Sequence, residues 1–217
     1  LKEALDVDPK NRRAGMLLER IYREAGKWDE LAGLLEQVST ESSIKDEKTA
    51  GFLRLARVLS KKLNSPERAV AAYERVLDLS PGNSEATSFL VDFFTAREMW
   101  DHLVSLYDEQ LAASSRTGQH DIGMVLQIAM VHWKMRGKPD AAEPYFERLR
   151  KAEPAHPGML SFFREQLTAR GDLAKLAQVL GDAQRALPDG LPRTQIAAEI
   201  AKLAEEGANA TKAIEQW

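Results

Sequence analysis

A chain of 217 residues, 44% apolar and 29% charged, can bury a sizeable core and carries too much charge for a membrane protein. Its formal charge of -3 and pI near 5.9 give no overall attraction for nucleic acid. With no cysteine, disulfides, thiolate chemistry and cysteine-ligated zinc are excluded.

The longest near-continuous apolar stretch, Met124 to Trp133, is interrupted by Gln127 and His132. It falls short of the roughly 20 residues that a membrane-spanning helix needs, and reads as a buried helix. No signal-peptide or lipidation pattern is legible. The cytoplasm is the expected compartment and the periplasm the alternative. The Ala-, Arg- and Leu-rich composition points to a GC-rich bacterial source.

Leu1 to Pro9 reads as the last turns of a helix. Ala14, Leu17, Leu18, Ile21 and Tyr22 then follow helical spacing, Gly26 breaks the chain, and Leu31, Leu34, Leu35 and Val38 resume the pattern. After a polar join from Ser39 to Lys48, Phe52, Leu53, Ala56, Leu59 and Leu63 form one apolar stripe. Asn64-Ser65-Pro66 opens another helix, with Ser65 as N-cap and Pro66 at the first helical position. Ala69, Tyr73, Val76 and Leu77 carry its buried face; Pro81-Gly82-Asn83 ends it, and Asn83 or Ser84 can cap the next. A second long polar join runs from Ala113 to Asp121. No segment shows the alternation of a half-buried strand.

The chain repeats itself. Leu5-Asp6-Val7-Asp8-Pro9 returns 72 residues later as Leu77-Asp78-Leu79-Ser80-Pro81, and a weaker copy ends at Pro154, a further 73 along. Trp28-Asp29 with Leu31 and Leu34 matches Trp100-Asp101 with Leu103 and Leu106, and then Leu173, Leu176 and Val179. Ala69, Tyr73, Glu74, Arg75 and Val76 match Ala142, Phe146, Glu147, Arg148 and Leu149, and Ala213 and Trp217 fit the next place. Each long unit holds two helix pairs.

On Leu18, Tyr22 and Gly26, on Ala69, Tyr73, Val76 and Pro81, and on Ala142, Phe146, Leu149 and Pro154, the chain resembles the tetratricopeptide repeat family. The resemblance implies an all-α fold, a right-handed α-solenoid of about six stacked helix hairpins. One solenoid is expected over 1–217, with repeats near 10–45, 46–82, 83–118, 119–155, 156–190 and 191–217. Missing polar caps at both ends suggest a piece of a longer repeat protein. The sequence departs from the family at Leu31, Leu103 and Leu176, where a small alanine is preferred, so wider packing is expected there.

No catalytic arrangement emerges. His102, His120, His132 and His156 share no helical face and no metal-ligand spacing; His132 reads as near the core, and His102 and His120 as in or beside loops. Gly26-Lys27 and Gly137-Lys138 lack the partners of a phosphate cradle and read as turns. No enzyme activity, cofactor or metal is expected.

The resemblance implies that the first helix of each pair lines a groove that holds a partner protein. Counting along these helices selects Arg13, Met16, Arg20 and Arg23; Arg54, Val58, Lys61 and Lys62; Ser88, Asp92 and Thr95; Met124, Gln127, Val131, Lys134 and Met135; and Ser161, Glu165 and Thr168. Basic residues at the start and methionines further on suit an acidic or amphipathic segment of another protein. Arg20 and Val58 stand where chaperone-tail receptors of the family carry asparagine, which argues against that subtype. The alternatives are an RNA-binding helical repeat, disfavoured because basic residues cluster only at the start, and a regulatory arm of an enzyme lying outside these residues.

Overall fold

The structure, a computed structural model, describes residues 11–116 and 121–215. The described residues form helices and turns, with no strand among them. They divide into two compact units, residues 1–117 and 118–217.

Unit 1 contains three hairpins: α1 (Arg12–Glu24) with α2 (Trp28–Glu41), α3 (Lys45–Lys61) with α4 (Pro66–Leu79), and α5 (Ser84–Ala96) with α6 (Trp100–Arg116). Each helix packs on the next in sequence. The buried side chains recur at helical spacing: Ala14, Leu18 and Tyr22 from α1, Phe52, Leu55, Ala56 and Leu59 from α3, Ala69, Tyr73 and Val76 from α4. One amphipathic hairpin has nowhere to hide such a stripe, so each buries it against its neighbours.

Unit 2 repeats the scheme. Helix α7 (Ile122–Met130) closes in a π turn (Val131–Met135) and pairs with α8 (Pro139–Ala152); α9 (Pro157–Arg170) pairs with α10 (Leu173–Ala186), and α11 (Leu191–Glu215) packs on α10. Its core takes Val125, Ile128 and Ala129 from α7, Ala142, Phe146 and Leu149 from α8, and Met159, Phe162 and Phe163 from α9.

Caps follow the residue types in most places. Asn11 accepts from the Ala14 amide at 3.1 Å, Asn83 from Ala86 at 3.0 Å, Asp121 from Met124 at 2.9 Å and Asp172 from Lys175 at 3.0 Å. Ser65 departs from expectation. It precedes Pro66 as anticipated, but its hydroxyl donates back to the Leu63 carbonyl at 3.2 Å and caps nothing. The polar joins are also shorter than their composition suggests. Helix α2 runs to Glu41 and α3 starts at Lys45, and α6 continues to Arg116, because Ser, Thr and Glu on an exposed face still continue a helix. Ala213, placed by spacing in a second helix of a sixth pair, falls inside the unbroken α11: a single Gly207 among Ala, Glu and Lys does not stop it. Leu1 to Pro9, His120 and Trp217 lie outside the described residues.

All five hairpins turn in the same way. Gly26, Asn64, Glu98, Gly137 and Gly171 each sit between first and second helix with φ of 66°, 47°, 55°, 60° and 71°. This is the left-handed residue that commonly ends a helix, and glycine adopts it without strain. Glu98 pays the steric cost of a side chain there. Glu98→Gly is therefore expected to raise stability by about 1 kcal/mol. An unchanged or lower melting temperature would show that the Glu98 turn is not strained.

Candidate functional site

The first helices of unit 1 present their selected residues to solvent, as counted from the sequence. Arg13, Met16, Arg20 and Arg23 are exposed on α1, with Met16 63% accessible. On α3, Arg54 and Lys61 are exposed and Val58 half-buried; on α5, Ser88, Asp92 and Thr95 are exposed. Lys62 is turned elsewhere: just beyond α3, its Nζ lies 5.0 Å from the Trp28 ring centroid at the start of α2.

Unit 2 gives a mixed result. Gln127, Lys134, Ser161, Glu165 and Thr168 are exposed and Met124 half-buried, while Met135 at the end of the π turn is 54% accessible. Val131, by contrast, is buried and unavailable to a ligand. Lys134 and Glu165 meet across α7 and α9 at 3.4 Å, and the Trp133 indole N–H donates to the same carboxylate at 3.1 Å. The indole hydrogen bond first, then Lys134, holds the Glu165 carboxyl below its usual range.

Carboxylates that sequence counting passed over organise these basic side chains. Glu19, itself only 9% accessible, accepts from Arg23 of its own helix at 2.5 Å and from Arg54 of α3 at 2.9 Å. Arg20 pairs with Glu24. Arg57 of α3 grips Glu85 of α5 through two bonds, and in unit 2 Arg164 of α9 grips Glu199 of α11, both of its bonds at 2.8 Å. First helix is thus tied to first helix by charge in both units. A signal existed: 19 to 54 and 164 to 199 are each one hairpin of 35 residues apart. The residue-by-residue selection of basic groups could not show it.

A second set of straps joins the far ends. Arg97 at the foot of α5 pairs with Glu67 at the head of α4, and Arg170 of α9 pairs with Asp140 of α8 at 2.7 Å. Arg170 also reaches Glu143, which Lys175 of α10 holds at 2.7 Å, so one carboxylate links α8, α9 and α10. Lys175 and Arg170 depress the Glu143 carboxyl below its usual range. A carboxylate depressed on folding stabilises at pH values above its unfolded range and loses that contribution as pH falls through the depressed value. Wild type should therefore outlast Glu143→Gln in urea at neutral pH, the gap shrinking below about pH 4. A gap independent of pH would show that the carboxylate charge contributes nothing.

The histidines divide between packing and capping. His132 is buried and stacks on Tyr145 with ring centroids 5.7 Å apart. His102 lies in the first turn of α6, beside the loop that precedes it, with its ring 5.3 Å from that of Phe94. His156 caps α9, its Nδ1 accepting from the Gly158 amide at 3.2 Å. Among the described residues no helix is long and apolar enough to cross a membrane.

A cavity of 490 Å³ opens in unit 1 between α1 and α3, over α2. A second, of 420 Å³, lies between α4 and α6 over α5. Each borders a helix with leucine where the family prefers alanine, Leu31 in α2 and Leu103 in α6, both buried.

Each unit is thus an all-α stack of helix hairpins, the arrangement of an α-solenoid. A family model described as tetratricopeptide repeat matches residues 16–48, from Met16 in α1 to Lys48 in α3. No curated protein sequence matches the chain. Among solved structures, that of Naa15/Naa10 bound to HypK-THB is similar at 20% identity and a TM-score of 0.54, across 98% of this chain and 32% of that one. YrrB, described as a TPR protein with an unusual peptide-binding site, shares 20% identity over 72% of this chain and 78% of its own, with a TM-score of 0.41. The pilF protein of Pseudomonas aeruginosa shares 16% over 93% and 87%, with a TM-score of 0.42. A tetratricopeptide repeat is thus matched at residues 16–48, and helix hairpins of the same kind continue through the described residues that follow it.

Proposed function

We propose that the chain is a non-catalytic scaffold that holds another protein, receiving a segment of that partner on the first-helix faces. The observation that carries this reading is a contrast between helices. Second helices such as α4 and α8 are spent on packing through Tyr73 and Phe146, while two first helices keep large apolar groups in solvent, Met16 on α1 and Met135 at the end of α7. Methionine adapts to varied apolar ligands, and the ion pairs between first helices hold the surface rigid before a partner arrives.

Affinity purification with mass spectrometry tests it. A chain bearing Met16→Glu, Arg20→Glu and Lys61→Glu should lose partners that the wild type and a second-helix control, Glu36→Lys, retain. Circular dichroism confirms that both variants fold. Retention of every partner by the triple variant ends the proposal.

A further inference from the structure

The two units differ at one corresponding place between second helices. In unit 2, Arg150 of α8 stands 3.3 Å from Glu147 of its own helix and 3.7 Å from Asp182 of α10. Lys175 of α10 reaches the same Glu147 at 3.4 Å. Two cations of the chain thus tie carboxylates of α8 and α10 together. The register that pairs Phe146 with Tyr73 and Leu176 with Leu103 gives Glu74 and Glu109 as the matching acids in unit 1. In place of Arg150 it gives Leu77, and in place of Lys175, His102. Unit 1 keeps the acids and lacks the arginine and the lysine that hold them.

The 420 Å³ cavity between α4 and α6 opens at this place. Leu77, Leu90, Phe94 and Leu106 line it and are buried. Glu74, Asp78 and Glu109 line it from exposed positions. Against these three carboxylates the lining holds the His102 ring and one guanidinium, Arg75, which already lies 3.7 Å from Asp78. Among the described residues Glu74 and Glu109 form no salt bridge; Glu109 accepts only from the Ser105 hydroxyl, at 3.4 Å. Desolvation, with Asp78 and Glu109 adding to it against His102 and Arg75, pushes the Glu74 carboxyl above its usual range.

An occupant that brings a cation between Glu74 and Glu109 relieves this crowding of like charge, and arginine can bond to carboxylates through two N–H groups. The apolar floor asks for more than a cation. A bare metal ion has no use for it, and no group of three or more His, Asp or Glu among the described residues could hold one. Nucleic acid is repelled by the rim. The volume suits a few side chains, one of them basic and the others apolar.

We infer that the groove between α4 and α6 docks a basic, leucine-bearing segment of another protein. An arginine of that segment takes the place between Glu74 and Glu109 that Arg150 fills between Glu147 and Asp182, and apolar side chains beside it settle over Leu90 and Phe94. The site is separate from the first-helix surface proposed above, and its failure would leave that surface untouched.

The test uses the whole 217-residue chain and three labelled synthetic peptides of equal length, read by fluorescence anisotropy. One alternates arginine with leucine, one arginine with glycine, and one glutamate with leucine. The first should bind about tenfold more tightly than either of the others and weaken as salt rises. His102→Lys, at an exposed position, gives unit 1 the ammonium that Lys175 gives unit 2. It should weaken the first peptide by about tenfold, as should Glu74→Gln. Glu36→Gln removes the same charge from α2, outside the groove, and should leave binding unchanged. Circular dichroism confirms that the variants fold, and either groove variant carries the test if the other does not. Equal binding of the glycine or the glutamate peptide overturns the inference. So does binding that ignores both groove variants, or that Glu36→Gln weakens as much as Glu74→Gln. A dimer of the chain, seen by sedimentation, that His102→Lys dissolves would overturn it too, because the occupant would then be a second copy.

Discussion

Truncating Phe146 to alanine is expected to remove about 3–5 kcal/mol, the cost of emptying a buried aromatic site. Phe146 is fully buried, its ring 4.2 Å from that of Phe162 on α9 and edge-on to Trp133 of α7 at 5.8 Å. It therefore closes its own hairpin and seats the next. Tyr73 does the same in unit 1, its ring tilted against that of Phe89 of α5 with centroids 4.4 Å apart and its hydroxyl 3.4 Å from Glu85. Tyr73→Ala should cost a similar amount and loosen α4 and α5 together. Urea unfolding followed by circular dichroism reads both. Midpoints equal to the wild type would refute the packing scheme.

The second large effect is steric. Gly51 of α3 lies so close to α2 that a Cβ there would stand 2.1 Å from the Ser39 Oγ and 3.0 Å from its Cβ. The hydroxyl can swing away, whereas the Cβ cannot. Gly51→Ala should thus cost about 1–3 kcal/mol from overpacking, more than the ~1 kcal/mol that alanine returns inside a helix. Adding Ser39→Gly removes both clashing atoms and should restore most of the loss. Ser39→Ala alone should stabilise by about 1 kcal/mol, because its buried hydroxyl has no hydrogen-bond partner among the described residues. A Gly51→Ala chain that melts like the wild type would mean the two helices are free to part.

The hairpins were legible because their signals are local. Apolar spacing, proline at first helical positions and the glycines at 26, 137 and 171 act within a turn or two of chain. Asn64 is a weaker signal for the same turn, and Glu98 gives none; only its place, 72 residues after Gly26, betrays it. The exposed faces of the first helices were legible for the same reason. What their charges do was not. Glu19, Glu85 and Glu199 look like ordinary surface acids until stacking brings an arginine from the adjacent hairpin onto each. Val131 is buried where spacing put it on the exposed face, because the passage into a π turn rotates it off the counted face.

Among the described residues, two contacts recur at 73 residues, two hairpins apart. Glu67 with Arg97 becomes Asp140 with Arg170, and Tyr73 with Phe89 becomes Phe146 with Phe162. The α4–α5 and α8–α9 junctions are thus of one kind, and the brick that repeats them is a double hairpin. Tyr73-Glu74-Arg75-Val76 and Phe146-Glu147-Arg148-Leu149 are its matching seams. Lineages that lengthened or trimmed such an array in whole bricks would keep every joint supplied with its mate, while an odd cut would set a tryptophan-headed helix against a neighbour built for the other sort.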